Sequence, residues 1–534
     1  MRFSEDKDFS ILSCLMRVNK YISFFVLLIF LSLNSNAQKK KNQDTSSHIS
    51  QPGRIEFDIY DYDMDFRVIN GEENGLLVVI ETQNRSDNGF NWTFHYVDTL
   101  LQKVWTRIYP IPFDSYLTGY EYHDGKFYLL FNVNQYRNED MLLLEIDIET
   151  QNFRTLEINT VFPIQLTFFE VIENNVLLAG YTNYRPVLLT YNMDEEKPRV
   201  VPGFYDNNSD IIDIVIDDEA RMFTVIQSER MNNRRYTMRA KTFTADGDLV
   251  QNNVISPGEK KNLIDGASTM FFGGFQYMAG TYSKKNSEYS RGLYLSKFIN
   301  GRQQFVKYFD YSDLNNFFGY MNERREKRVM ERIERKRAKG KKPSFSYRLL
   351  VHDIIQQDED YLMIAEAYYP RYSNYSSAYS GSGWSNSTRF NPSFMGYKYT
   401  HAIVVGFDRN GNIIWDNSFE INDVETYALE EFVGVSHYDD QVILMYLEEN
   451  TIRSKVIQGN EILEGKTFNP VKLSYESDQV KSRNPEIEGL KKWYDQVMYA
   501  YGEQRIRNDD ATDGRLSRRV FYINKIIYSA NEAN

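Results

Sequence analysis

Cysteine is almost absent from this 534-residue sequence: the one cysteine, Cys14, precedes the apolar segment near the amino terminus. A chain cut after that segment has no disulfide, no thiolate nucleophile and no cysteine-bound metal. Six histidines are present, and none is spaced as His-x-x-x-His or His-Glu-x-x-His. The sequence also lacks a Gly-x-Ser-x-Gly elbow, a Walker loop and a Gly-x-Gly-x-x-Gly motif. We therefore expect no cofactor, and we assign no catalytic and no metal-ligating residue.

Positive charge is scarce as well, except in one segment. The net charge is −12, which argues against a nucleic-acid partner. Residues 323–342 differ, because they hold eleven Lys/Arg against four Glu. That segment carries +7, which leaves −19 for the rest of the chain. Proline is low at 13, and 42% of the residues are hydrophobic, so the chain is expected to fold around a sizeable core.

The amino terminus has the pattern of an export signal. Tyr21–Leu33 is a 13-residue apolar run with Arg17 and Lys20 before it, and small residues stand at Ser35 and Ala37. This predicts a signal peptide over 1–37, with a possible upstream extension before Met16, and a periplasmic, cell-surface or secreted protein without a transmembrane segment in its mature chain. The alternative is an uncleaved signal anchor. The polar residues 38–53 are expected to be a flexible linker.

What the sequence does contain is a repeat of apolar hairpins. Aromatic residues make up 15% of the chain, which suits strands. Eight pairs of apolar strands recur: Gly75–Ile80 with Trp92–Val97, Lys126–Phe131 with Met141–Ile146, Val176–Tyr181 with Val187–Tyr191, Met222–Ile226 with Met238–Phe243, Tyr277–Tyr282 with Leu293–Phe298, Leu362–Ala367 with Ala402–Phe407, Val442–Leu447 with Ile452–Ile457, and Val497–Tyr501 with Val520–Ile526. The turns that follow these hairpins are about 46 to 53 residues apart, except for one gap of 110 between Gly301 and Gly411. The regular spacing is that of a four-stranded propeller blade.

On this repeat the chain resembles the β-propeller superfamily in general, and no specific family within it. The resemblance implies an all-β fold of eight blades, each of four antiparallel strands, within one domain over 54–534. Seven blades are the alternative, because the first strand of the last blade, near Pro485–Tyr494, is poorly defined. We expect Arg54–Tyr60 to pair beside Val520–Tyr528 and so close the ring.

Two insertions interrupt the repeat. The first, residues 313–342, is predicted to be a basic helix that ends at Gly340 and Pro343. The second, residues 370–397, is a loop rich in Tyr, Ser and Asn. The basic helix links two blades, and the loop joins strands two and three of the next blade. In an up-and-down blade both positions lie at the same end of the strands, so the two insertions are predicted to lie on one face.

This face is the candidate binding site. Its expected contact residues are aromatic on the loop and cationic on the helix: Tyr372, Tyr375, Tyr379, Trp384, Phe390, Arg324, Arg325, Arg335 and Arg337. The alternatives are a loop folded back on the disc and a solvated helix held by pairs such as Glu331 with Arg335. Histidines 123, 352 and 437 are expected to pack or to form hydrogen bonds near the axis. Asp58, Asp61, Asp63 and Asp65 could ligate Ca²⁺, although their alternation favours a polar strand face.

The sequence thus favours a non-enzymatic binding or scaffolding module whose partner is a protein or a glycan. The rival interpretation is a carbohydrate-active hydrolase, with two carboxylates at the central channel.

Overall fold

The fold is described by a computed structural model of the chain. It describes residues 48–529, except residues 61–63, 134–139, 286, 358–359, 374–392, 423, 439, 482–486 and 511–515. Residues 47–534 form one compact unit. The predicted signal peptide and most of the predicted linker lie outside the described residues.

The chain forms eight antiparallel sheets in succession, which confirms the eight-bladed propeller. The strands of the first four blades, each given from the innermost to the outermost, are β2 (Asp65–Asn70), β3 (Leu76–Glu81), β4 (Gly89–Val97) and β5 (Lys103–Pro112); β6 (Ser115–His123), β7 (Lys126–Val133), β8 (Asp140–Asp147) and β9 (Phe153–Asn159); β10 (Gln165–Ile172), β11 (Asn175–Thr182), β12 (Arg185–Asn192) and β13 (Lys197–Val200); and β14 (Ser209–Asp217), β15 (Met222–Arg230), β16 (Tyr236–Thr244) and β17 (Leu249–Val254).

The last four blades include two with extra short strands. The fifth and seventh blades are regular: β18 (Asn262–Ser268), β19 (Phe275–Ser283), β20 (Gly292–Ile299) and β21 (Arg302–Asp310); and β28 (Gly434–Tyr438), β29 (Gln441–Glu448), β30 (Thr451–Gln458) and β31 (Glu461–Pro470). The sixth has a divided inner strand and a short addition: β22 (Arg348–Val351), β23 (Ile355–Gln357), β24 (Asp360–Ser373), β25 (Ser393–Phe407), β26 (Ile413–Glu420) and β27 (Glu425–Thr426). The eighth consists of β32 (Asp478–Val480), β33 (Glu488–Tyr494), β34 (Val497–Asn508), β35 (Ser517–Tyr528) and β1 (Ile49–Asp58).

The ring is closed by the amino-terminal strand, as the sequence predicts. β1 pairs with β35 in antiparallel register, with Arg54 opposite Asn524 and Asp58 opposite Val520. The strand begins at Ile49, within the segment expected to be a linker, because a bulge between Ser50 and Gly53 lets pairing continue past Arg54. The seven-blade alternative is wrong: β33 is the inner strand of a complete eighth blade.

The core is divided among the interfaces between blades. Eight clusters of buried apolar residues are found, one at each contact between neighbouring sheets, including the contact between the eighth and first blades. In the cluster that closes the ring, Phe66 of β2 stacks on Phe521 of β35 with 4.5 Å between ring centroids. Each blade is therefore stabilised on both sides by apolar burial.

The first insertion contains a 3₁₀ turn (Tyr311–Asp313) and one helix, α1 (Glu323–Ala338). The side chain of Asn322 accepts a hydrogen bond from the Arg325 amide and so caps the amino end. Gly340 follows the last turn with a φ of 67°, a conformation that favours glycine at this position. The helix is shorter than residues 313–342, because Phe317 and Phe318 are buried in a non-helical segment. The described part of the chain contains no helix with the length and apolar character of a membrane span.

Candidate functional site

Both insertions leave the propeller at the same face, which we call the loop face. β22 begins at Arg348, directly after the first insertion, and Arg348 lies opposite Tyr368 of β24. β24 and β25 then continue together beyond that pair, as far as Ser373 opposite Ser393. The ends of β21 and β24 and the starts of β22 and β25 therefore lie at one end of the blades. The aromatic hairpin, defined as the paired strands β24 and β25, extends from the loop face.

The segment before α1 is fixed on this hairpin by aromatic packing. Tyr320 stacks on His401 of β25, with 3.6 Å between the ring centroids and 3° between the ring planes. Phe317 contacts Tyr311, Tyr347 and the same histidine. His401 is fully buried, and this burial lowers its pKa to about 3, so the ring is neutral in this apolar setting. The two insertions are thus joined at their base.

A buried carboxylate holds the same segment against the outer strand of the sixth blade. Asp416 of β26 accepts hydrogen bonds from the backbone amides of Asn315 and Asn316, at 2.8 and 2.6 Å. The Asn316 side-chain amide donates a hydrogen bond to the backbone carbonyl oxygen of Asp416 at 2.8 Å. On α1 itself, Ile333 is buried in the apolar cluster between the fifth and sixth blades, and Val329 and Met330 pack against that cluster. The helix is therefore anchored along one side, unlike a solvated arm.

The four predicted cationic residues lie on α1, and one of them, Arg337, contacts residues outside the helix. Arg324, Arg325 and Arg335 are exposed. Arg335 donates a hydrogen bond to the backbone carbonyl oxygen of Glu331 at 3.2 Å. The sequence had suggested an ion pair with the Glu331 carboxylate. Arg337 donates to the Ser312 carbonyl oxygen and lies 3.6 Å from Asp313, so it ties the end of α1 back to the fifth blade.

The predicted aromatic residues are described only in part. Tyr372 is 54% exposed and meets Phe394 edge to face, with 5.8 Å between centroids. Tyr375, Tyr379, Trp384 and Phe390 lie outside the described residues. Other exposed apolar side chains on this hairpin and beside it are Tyr369, Phe394, Met395, Tyr427 and Leu429. The last four were not predicted, because strand ends do not reveal in the sequence which side chains emerge. The loop face thus presents aromatic and cationic side chains together.

A second set of titratable residues lies around the axis, where no sequence motif indicated it. The inner strands β6, β10, β14 and β18 each carry a bulge, after Leu117, Leu166, Ile211 and Leu263 respectively. One carboxylate follows each bulge. Asp213 and Asp265 are the first paired residues after their bulges, and Glu121 and Glu170 lie two residues beyond the first paired residue. Since side chains alternate along a strand, these four lie on the same side of their strands relative to the bulge. Asp265 accepts from the Val351 amide of the sixth blade, which places that side toward the next blade.

Burial makes these axial carboxyl groups weak acids. Burial, with the nearby negative charges of Glu121 and Asp213, raises the pKa of Glu170 to about 9. Burial is also the main reason that the pKa of Glu121 rises to about 7, that of Asp213 to about 7 and that of Asp265 to about 6. Protonated and ionised carboxyl groups therefore coexist around the axis near neutral pH. Strongly shifted groups of this kind are candidates for function.

Between the sixth and seventh blades, His352 bridges two carboxylates. Its Nε2 lies 2.8 Å from Oε1 of Glu366, which is fully buried, and its Nδ1 lies 3.6 Å from Oε2 of Glu431. Glu366 also accepts hydrogen bonds from the amides of Phe432 and Val433. Burial lowers the pKa of His352, but the bond to Glu366 and the surrounding carboxylates outweigh it and raise that pKa above its usual value. The expectation of an axial hydrogen-bonding histidine is met, and the pair joins neighbouring blades.

Of the four aspartates considered as Ca²⁺ ligands, only two lie among the described residues. Asp58 ends β1 and Asp65 begins β2, while Asp61 and Asp63 lie outside the described residues. Among the described residues no group of three or more His, Cys, Asp or Glu side chains has the arrangement of a metal site.

The face opposite the loop face has a polar cleft of about 660 Å³. Turn residues of the second, third and fourth blades line it, among them Asp124, Glu173 and Asp218. His123 accepts from the Glu173 amide at 3.0 Å and lies 3.5 Å from Asp218. His123 therefore links turns of the second, third and fourth blades.

No family model matches the chain, and no curated protein matches it. Among solved structures, the β-propeller domain of the Trilobed protease from Pyrococcus furiosus, described as having an open velcro topology, is similar at 9% identity and a TM-score of 0.35, over 79% of this chain and 97% of that one. The polysaccharide lyase Uly1 is similar at 9% identity and a TM-score of 0.38, over 90% of this chain and 100% of that one.

A prolyl endopeptidase structure is also similar, at 11% identity and a TM-score of 0.37, over 78% of this chain and 51% of that one. At such identities the likenesses concern the β-propeller fold alone.

Proposed function

We propose that this chain is an exported, non-enzymatic binding module that engages a protein or glycan partner through its loop face. The observation that supports this most is a cationic helix anchored on the same face of the propeller from which exposed aromatic side chains emerge. Ten of the eleven Lys and Arg residues in 323–342 are exposed, yet the helix that carries most of them is anchored by buried Ile333, Phe317 and Phe318. Fixing such a helix against the blade loses conformational entropy, which a freely solvated arm would keep.

The aromatic hairpin contributes the second half of the proposed surface. Tyr372, Phe394 and Tyr427 are exposed although large aromatic side chains usually gain by burial. Exposed apolar side chains grouped together are typical of interaction sites, and aromatic rings provide contact area with little loss of side-chain entropy. Because the remainder of the chain is acidic, the cationic helix would also orient an acidic partner toward this face.

Removal of each half of the surface tests the proposal. In one variant residues 374–392 are replaced by a short Gly/Ser turn, and in another Arg324, Arg325 and Arg335 are changed to Ser; Arg337 is kept because it holds the helix end. Capture of partners from extracts of the producing cells is compared by quantitative mass spectrometry against the intact protein. Both variants should keep the melting temperature and lose the same captured species. Retention of those species by both variants contradicts the proposal.

A second function, hydrolysis of a carbohydrate, is favoured by one observation. A glycosidase needs one protonated and one ionised carboxyl group, and the raised pKa values of Glu121, Glu170 and Asp213 provide both states near neutral pH. If this function is correct, Glu170→Gln and Asp213→Asn each abolish hydrolysis of a glycan that the intact protein cleaves, while shortening the hairpin does not. If no tested glycan is cleaved by the intact protein, binding remains the better account.

A further inference from the structure

A cleft of about 350 Å³ lies in the fourth blade, apart from both insertions. Phe243, which lines it, belongs to the apolar cluster between the third and fourth blades. β15 ends at Arg230 and β16 begins at Tyr236, and the second strand of a blade ends at the loop face, so the cleft lies at that face. We call it the fourth-blade cleft, and its polar lining includes Asp206, Ser209, Gln227, Glu229, Arg239 and Lys241.

Gln227 is the most deeply buried polar residue of this lining, with 1% of its surface exposed. Its Nε2 lies 3.5 Å from Oγ of Ser209, at the long limit of a hydrogen bond, and its Oε1 accepts no bond from any residue that the structure describes. A buried amide without good partners costs free energy of folding. Because this amide borders the cleft, a ligand with polar groups there would supply the missing bonds.

Arg239 places a fixed donor beside that amide. It lies opposite Gln227 in the register of β15 and β16, so the two side chains are neighbours on one side of the sheet. Its Nε donates to Glu229 at 2.7 Å and its Nη1 donates to Asn252 at 3.0 Å, which hold the guanidinium in place. Its Nη2 has no partner among the described residues and remains available to a ligand.

The charges around the cleft balance one another. Arg239 and Lys241 are matched by Asp206 and Glu229. Lys241 donates to the Gly203 carbonyl oxygen at 2.6 Å, and burial, together with the charge of Arg239, lowers its pKa to about 8. A lining without net charge gives an anion or a cation little electrostatic advantage over a neutral ligand.

A neutral sugar suits this lining. Each sugar hydroxyl both donates and accepts, so neighbouring hydroxyls can pair with the Gln227 amide and with the Arg239–Glu229 pair at the same time. Phe243 and Leu249 add apolar surface, which suits the apolar face of a sugar ring. The volume is near the lower end of the range for small-molecule sites, about 300–1,000 Å³, which limits the ligand to about one or two rings.

We infer that the fourth-blade cleft binds a neutral mono- or disaccharide unit, held by hydrogen bonds to Gln227 and Arg239. The cleft contains no residue of either insertion. The inference therefore goes beyond the proposed partner surface and does not depend on it.

The test uses the whole protein and saturation-transfer NMR observed on the ligand. The saccharide probes are maltose, cellobiose, lactose and diacetylchitobiose, while methyl phosphate and alanine represent small anions and zwitterions. Gln227→Met removes the amide at nearly constant volume. Gln251→Met, in the same blade, is the control, because Gln251 lies outside the cleft and bonds to Asn253 on the side of the fifth blade.

We expect saturation transfer to at least one disaccharide and none to methyl phosphate or alanine. Gln227→Met should weaken binding of that disaccharide at least about fivefold, and Gln251→Met less than about twofold. Since the Gln227 amide lacks good partners in the free protein, Gln227→Met should leave the melting temperature unchanged or raise it. A clear fall in melting temperature would show that the amide has a structural role and would overturn the inference.

Two further outcomes separate this inference from the proposed function. If no disaccharide receives saturation, or if only methyl phosphate or alanine does, the sugar site is wrong and the partner surface at the insertions is unaffected. If disaccharide binding survives Gln227→Met but is lost when Arg324, Arg325 and Arg335 are changed to Ser or residues 374–392 are replaced, the sugar binds at the insertions. That result overturns the inference and supports the proposed function.

Discussion

Glu170 shows how one residue near the axis links stability to pH. Its pKa is about 9 in the folded protein against an ordinary value of 4.5, because burial and neighbouring carboxylates disfavour its charge. The folded protein favours the protonated form of Glu170. The contribution of this group to the free energy of unfolding is therefore complete below pH 4.5 and is lost as pH rises through about 9. Neutral glutamine at this position removes that dependence.

We therefore predict that Glu170→Gln raises the free energy of unfolding by about 1–3 kcal/mol at pH 8 and changes it little at pH 4.5. Urea unfolding at the two pH values measures both numbers. Glu219→Gln, in the exposed turn after β14, is the control and should be neutral at both. A Glu170→Gln protein that is destabilised at pH 8 would show that the charged form is needed.

Glu366 is the second residue whose removal has a large expected effect. It is fully buried and accepts bonds from His352 and from two backbone amides of the seventh blade. Glu366→Ala should cost about 3–5 kcal/mol, because it leaves the imidazole and both amides without their acceptor. Glu366→Gln retains an acceptor oxygen and should cost less.

The pH dependence of the same pair has a defined sign. Since the folded pKa of His352 is raised above 6.5, the pair contributes fully below pH 6.5 and its contribution is lost as pH rises through the folded value. Chemical unfolding between pH 5 and 9 should therefore show that the difference in unfolding free energy between the intact protein and Glu366→Ala becomes smaller as pH rises. A pH profile unchanged by Glu366→Ala would contradict it.

At the scale of the element, β1 decides whether the ring is closed. It covers the edge of β35 over Ile49–Asp58, and it buries Phe57 in the cluster between the eighth and first blades. Deletion of residues 1–60 should lower the melting temperature by more than about 10 °C, because it exposes a strand edge and removes part of an interface core. Deletion of residues 1–46, which leaves β1 intact, is the control. Equal melting temperatures for the two truncations would contradict closure by β1.

The hairpins show why the architecture could be predicted from the sequence. Strands such as Leu76–Glu81 and Val442–Leu447 are buried on both sides between blades, so they appear as continuous apolar runs at a regular spacing. The inner strands were harder to predict. The inner strand of the sixth blade, for example, is divided into β22 and β23 with His352 between them, and divided or bulged strands break the alternation on which sequence patterns depend.

The axial carboxylates could not be found in the sequence for a different reason. Glu121, Glu170 and Asp213 are about 45 residues apart, in strands that resemble any other polar-apolar alternation. Only closure of the ring brings them near one another. The loop face, by contrast, could be predicted, because strand direction alone determines on which face an insertion emerges.

At the scale of the whole molecule, the charge is separated between the two parts of the surface. A segment of +7 stands on a body of −19, and the positive part lies on the loop face. Such a separation orients charged partners over distances of about a Debye length, near 10 Å at 0.1 M salt. The account predicts that binding occurs at the loop face and not at the opposite cleft.

Site-specific cross-linking tests this central claim most directly. With Cys14 changed to Ser the chain has no cysteine, so a single photoreactive group can be attached at Tyr372→Cys on the loop face or at Glu149→Cys in a turn on the opposite face. Each labelled protein is illuminated with extract from the producing cells, and the cross-linked products are quantified. The account predicts cross-links from position 372 that high salt abolishes, and none above background from position 149. Cross-links at position 149 alone, or equal yields from both positions, would contradict it.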